Sequence, residues 1–323
     1  MEQLFTHVDL KLAVFTFSIK AKDSLYLPEQ KGSTFRGGMG TALARLCRDK
    51  SKRYRCQDCP ENVRCPYASL FTNPASAAQS PPLEAANLPH PFVLRPPRTA
   101  KEHFEPGEYL DFQLILFGNY SVYLPFYIYA IDLFGENGIG KGRGRFDLCQ
   151  VVDAVSGKEV YNHLERSPTN DFSLIRFSDL QKRKYGDMEA AVQLDFLSTT
   201  CILHQNRPAK NLSFELLVRS LLRRASNLSV LYEGNGWDLD YSTLLGMANE
   251  RVPLHHCHFY LASWERFSSS QNRHTPMEGF RGTAIYKGDL AAFLPLLFLG
   301  EYMHVGSKTT FGMGQYITST ASQ

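Results

Sequence analysis

Residues 304 to 316, HVGSKTTFGMGQY, place one histidine, one lysine and three glycines in thirteen positions. Histidine exchanges protons near neutral pH. Lysine carries a cation, and glycine lets backbone approach a ligand closely at little steric cost. Consecutive N–H groups in such a loop suit phosphate oxygens. Two readings stand: a tight turn into a last strand, or a cradle for a polyanion. A second stretch, GENGIGKGRGRF, interleaves Gly138, Gly140, Gly142 and Gly144 with Lys141, Arg143 and Arg145. It is not a P-loop, because Gly142 stands where a metal-binding Ser or Thr is required and the stretch follows a helix instead of a strand. The same reversal excludes a dinucleotide fingerprint.

Cys47, Cys56, Cys59 and Cys65 crowd into one polar, basic stretch. One C-x2-C pair and two further thiols are enough for a tetrahedral four-thiolate zinc site, with unligated buried thiols as the alternative. His255 to His258, HHCH, reads as strand, with His256 and His258 on one face; ordinary strand residues are the plainer reading than a metal site. Arg219, Arg223 and Arg224 lie on a long helix, facing either phosphates or solvent.

The elements that carry these residues follow a pattern. Residues 8–19 read as a strand, 32–47 as a helix and 90–97 and 107–119 as strands, the last with Leu110, Phe112, Leu114 and Leu116 on one face. A helix over 123–138 and a strand over 143–155 complete a β-α-β-β-α-β order. The order recurs with a strand at 190–203, a helix at 211–231, strands at 255–267 and 279–288, a helix at 289–303 begun at Asp289 and bent at Pro295, and a strand at 311–320. The expected fold is α+β, two tandem ferredoxin-like domains over 1–156 and 157–323, with a cysteine-rich insertion at 47–68 in the first. Each glycine loop follows the second helix of its half. That shared placement favours polyanion binding by Lys141, Arg143, Arg145, Gly306, Gly312 and Gly314.

The bulk numbers agree with a soluble protein. The chain has 323 residues, 43% hydrophobic and 21% charged, and a net charge of +3. No signal peptide is visible, and no stretch reaches the roughly 18 apolar residues a membrane span needs. A cytoplasmic location with reduced thiols is expected.

The stretch FRGTAIYKGDLAAFLPLLFLGEYMHVGSKTTFGMGQY, 280–316, resembles the C-terminal signature of the CRISPR RNA-processing endoribonucleases of the RAMP superfamily. FRGGMG with CQDCPENVRCPYASLF, and GIGKGRGRF, are similar to the N-terminal and middle parts of that family. The resemblance implies tandem ferredoxin-like RAMP domains and cleavage of precursor CRISPR RNA within the repeat. It further implies that no metal or other cofactor serves catalysis. A 2′-hydroxyl attacks the adjacent phosphate and leaves a 2′,3′-cyclic phosphate and a 5′-hydroxyl. Such chemistry needs a base, an acid and cations. His304 and Lys308 are the expected catalytic pair, with Tyr302 and Tyr316 as weaker candidates. Many members of the family carry a histidine in or near the first helix. Here residues 31–47 hold none and offer Lys31 and Arg36, expected to contact RNA. The expected partner is CRISPR repeat RNA, with effector-complex subunits as further partners. A non-catalytic RAMP subunit that binds guide RNA and a small-molecule-binding domain pair are the alternatives.

Overall fold

The computed structural model describes residues 5, 8–47, 65–71, 88–205, 207–209, 211–268 and 273–321. They divide into two compact units, one of residues 11–175 with 231–233, the other of residues 1–10, 176–230 and 234–323.

The first unit opens with β1 (Lys11–Ala21) and the short β2 (Leu25–Tyr26), then α1 (Gly32–Cys47) and α2 (Pro66–Phe71). Next come β3 (Phe92–Arg95), β4 (His103–Phe104), β5 (Tyr109–Phe117), α3 (Leu124–Asn137), β6 (Phe146–Asp153) and β7 (Glu159–Asn162). The main sheet runs β3-β5-β1-β6-β7, and these neighbours pair antiparallel. Its first four strands with α1 and α3 are the ferredoxin-like arrangement. Alternation builds the core. Phe15, Phe17 and Ile19 of β1 share a face with Phe112, Leu114 and Leu116 of β5, and these pack with Phe35 and Met39 of α1 and Tyr127 and Ile131 of α3. The unit continues to residue 175, beyond the expected 156, because β7 pairs with β6.

The short β8 (Ile175–Arg176) adds to the first sheet, and the second unit contains α4 (Phe177–Lys182), β9 (Ala191–Thr200), β10 (Leu203–His204), β11 (Arg207–Pro208) and α5 (Phe214–Tyr232). They are followed by α6 (Tyr241–Arg251), β12 (Leu254–Ser268), β13 (Arg273–Lys287), α7 (Leu294–Met303) and β14 (Tyr316–Thr320). The sheet order β12-β13-β9-β14 repeats the first topology. Leu217, Leu221 and Leu228 of α5 are buried with Leu296, Leu297 and Leu299 of α7. The expected start of the last helix is corrected: Phe293 is its N-cap and Pro295 falls in the first turn, where a missing N–H costs nothing. Asp289 instead forms an ion pair with Arg251 at 3.6 Å. The cysteine-rich stretch from 48 to 64 lies outside the described residues, so Cys56 and Cys59 do too.

Candidate functional site

The loop between α7 and β14 folds back on the end of β9. Val305 N–H donates to the Gly314 carbonyl at 2.9 Å, Ser307 N–H to Cys201 at 2.9 Å and Gly314 N–H to Thr199 at 3.0 Å. Phe311 and Gly312 donate to Lys308 and Thr309, and Gln315 N–H donates to the Ser198 hydroxyl. Gly314 has φ 75°, and a Cβ there would lie 1.9 Å from the Val305 carbonyl oxygen. Only glycine fits that approach. The glycines therefore make a tight turn whose N–H groups are largely spent on protein carbonyls. Gly306 and Gly312 also take positive φ, at 81° each.

Lys308 is the exposed cation of this loop, held at its own left-handed φ of 59°. Its Nζ donates to the Pro276 carbonyl of β13 at 3.2 Å. Beside it the Arg266 guanidinium of β12 lies over the Phe311 ring, 4.5 Å from the centroid, and burial lowers its pKa. Arg266 carries no motif in sequence. The β12–β13 hairpin alone brings it to the loop.

His304 follows the last residue of α7 and is 0% exposed. Its Nδ1 lies 3.0 Å from the Met313 carbonyl oxygen, which can only accept, so Nδ1 carries the hydrogen. The imidazole is turned into the protein. Its proton-accepting nitrogen is then Nε2, which could take a proton without breaking that bond only if a ligand reached the buried ring. Tyr316 is likewise buried, its hydroxyl donating to the Leu297 carbonyl at 2.6 Å, and burial pushes the phenol well up. Tyr302 is half-buried. Arg224 Nε donates to the Met303 carbonyl at 2.7 Å and so closes the end of α7. Arg219 pairs with Glu215 one turn away, and Arg223 is exposed.

The first glycine loop, 138–144, lies between α3 and β6. Arg145 is committed to Asp23: Nε and a terminal nitrogen reach its two carboxylate oxygens at 2.7 and 3.2 Å. That pairing holds the Asp23 carboxyl down at about 2. Lys141 and Arg143 are exposed, and among the described residues their side chains have no ion pair or hydrogen bond.

The pair expected on the first helix is placed differently. Lys31 is 1% exposed, and its Nζ donates to the Thr99 carbonyl at 2.8 Å and the Glu29 carbonyl at 3.3 Å. Burial lowers its pKa, against the opposing pull of Glu102 and Glu29. It fastens the entry to α1 instead of facing a ligand. Arg36 is half-buried, its guanidinium 4.7 Å from the Phe71 ring centroid and 3.5 Å from His90 Nε2. Among the described residues no group of three or more His, Cys, Asp or Glu could hold a metal. Cys65 is a free, half-buried thiol, and His255, His256, Cys257 and His258 are exposed along β12.

Comparison with known proteins places both halves. Residues 10–172 match the model described as AF_1859_N, N-terminal domain, and residues 194–316 match that of the CRISPR-associated endoribonuclease Cas6. An uncharacterized protein of Archaeoglobus fulgidus is 28% identical over 300 residues, 90% of this chain and 91% of that one. A Cas6 product complex superimposes with a TM-score of 0.57 at 15% identity, covering 95% of this chain and 100% of the other. Cas6 of Thermus thermophilus gives 0.54 at 14%, covering 96% and 99%. Those likenesses establish the tandem ferredoxin-like fold. No helix among the described residues is long and apolar enough to cross a membrane.

Proposed function

The chain belongs to the family defined by that N-terminal domain, and we propose that it is a CRISPR-associated Cas6-type RAMP protein that cleaves CRISPR repeat RNA. The observation that carries the proposal is that the Cas6 match runs through the 304–316 loop, where Lys308 is presented to solvent on a turn braced by β9.

The proposed reaction uses no metal. The ribose 2′-oxygen attacks phosphorus, the bond to the 5′-oxygen breaks, the 2′-hydroxyl gives its proton to solvent water and the 5′-oxygen gains one. Lys308 stands to neutralise charge on the phosphoryl oxygens and to supply the proton at the leaving oxygen. Arg266 adds charge beside it. His304, sealed beneath the turn, sets the position of Lys308 and so acts as a positioning residue. The base role expected from its sequence position would require the turn to open. Lys308 also holds the cleaved end after the reaction.

The buried state of His304 also favours a second reading, a RAMP subunit that binds guide RNA without cutting it. One assay separates them: labelled repeat RNA incubated with protein in EDTA, with a parallel substrate carrying a 2′-deoxyribose at the cut site. Cleavage of the first only, to a 2′,3′-cyclic phosphate, supports the nuclease. Binding without cleavage supports the subunit.

A further inference from the structure

Tyr26 and His103 stack face to face, with ring centroids 4.5 Å apart and planes 4° from parallel. They are register partners in the two-stranded β2–β4 ribbon, and neither is covered: Tyr26 is 50% exposed and His103 is exposed. The pair therefore presents two pre-ordered flat rings to solvent.

The first glycine loop is built against that pair. Lys141 N–H donates to the Tyr26 carbonyl at 2.9 Å, and the two residues form an isolated antiparallel bridge. A Cβ on Gly140 would lie 2.1 Å from the same Tyr26 oxygen. Lys141 and Arg143 therefore leave the loop next to the stacked rings. Arg143 is held at a left-handed φ of 53°, a conformation that costs a side-chain-bearing residue energy. Surrounding cations are paired off: Arg145 with Asp23, Lys22 with Asp147 at 3.0 Å, and Lys101 with Glu108 at 2.5 Å. Lys141 and Arg143 are not. Carboxylates also reach the stack: Glu105 lies 3.6 Å from His103 Nε2, and Glu108 interacts electrostatically with His103.

We propose that Tyr26 and His103 with Lys141 and Arg143 form a docking site for unpaired RNA, apart from the Lys308 turn: a base extends the Tyr26–His103 stack and its flanking phosphates meet Lys141 and Arg143. Every base has a face that stacks on an aromatic ring, so the site takes single-stranded nucleotides with little sequence preference. A paired duplex hides those faces and is excluded. This inference rests on the RNA-binding part of the proposed function and not on cleavage.

The test uses the full chain and repeat RNA with 2-aminopurine at single positions outside any hairpin and a 2′-deoxyribose at the cut site, so that binding is read without turnover. Wild type quenches the fluorophore at one or two positions. Tyr26→Ala abolishes that quenching and weakens binding about fivefold to a hundredfold, while Tyr26→Phe restores both. Lys141→Ala and Arg143→Ala each lower the slope of log affinity against log salt by about one. Unchanged melting temperatures show that the ribbon is intact. Quenching and affinity in Tyr26→Ala equal to wild type would overturn the site and leave the nuclease standing. RNA that binds with the expected pattern but is not cut in its all-ribose form would remove the nuclease and leave the site. No binding by wild type overturns both.

Discussion

His304 Nδ1 lies 3.0 Å from the carbonyl oxygen of Met313, nine residues further along the chain, and the ring between them is sealed from water. The contact closes the turn that carries Lys308. His304→Ala removes a buried hydrogen bond and leaves a cavity, a loss of about 2 kcal/mol or more. It should lower both the melting temperature and the cleavage rate. Lys308→Ala should leave melting unchanged and slow cleavage about 10²- to 10³-fold at saturating RNA, the scale of losing one charge-stabilising donor. A His304→Ala protein with normal melting and no activity would show that the imidazole does chemistry itself.

The same turn depends on Gly314. A methyl group there meets the Val305 carbonyl at 1.9 Å in a backbone with φ 75°. Gly314→Ala should cost about 1–3 kcal/mol and displace Lys308, seen as lower melting and slower cleavage together. Wild-type values for both would mean that the turn is not as close-packed as described.

Asp23 and Arg145 give a pH signature at the first glycine loop. The folded carboxyl titrates at about 2 against an ordinary 3.8, held down mainly by the Arg145 hydrogen bonds. A depressed acid stabilises the fold above its unfolded value and loses that contribution as pH falls from about 4 toward 2. Carbon-13 titration of Asp23 should show a midpoint near 2, moving up toward 3.8 in Arg145→Ala. An unchanged midpoint in the variant would assign the shift elsewhere.

Metal removal addresses the cysteines. The proposed reaction needs no metal, so cleavage should continue in EDTA. Four-thiolate zinc at Cys47, Cys56, Cys59 and Cys65 would appear as about one zinc per chain by elemental analysis. A paired Cys56→Ser, Cys59→Ser substitution should abolish it. Zinc-free wild type would remove the site, and EDTA-dependent loss of cleavage with intact folding would remove the metal-free reaction.

Much of this molecule is written in local pattern. Alternation placed β5 to within two residues at each end, and Leu110, Phe112, Leu114 and Leu116 are all buried as the pattern demanded. Helix α1 runs over 32–47 as the spacing of Phe35, Met39, Leu43 and Leu46 requires, with the first three buried and Leu46 exposed. Other parts were not legible. The α6 segment, YSTLLGMANER, has few apolar positions and no clear stripe, so its helix, capped by Asp240, gives a weak signal. β13 starts at Arg273, six residues before the apolar run, because its outer half is ordered by pairing with β12.

The sequence alone determined the two ferredoxin-like orders, the glycine loops after their second helices and the family resemblance. Periodicity and motif spacing are properties of neighbouring residues and survive without a fold. Only the tertiary structure decided which charges are available. Lys31, Arg145 and His304 look reactive in the chain, yet carbonyls, a carboxylate and close packing occupy them. Lys141, Arg143 and Lys308 remain at the surface. Burial and pairing depend on residues far away in sequence, and no local spacing encodes them.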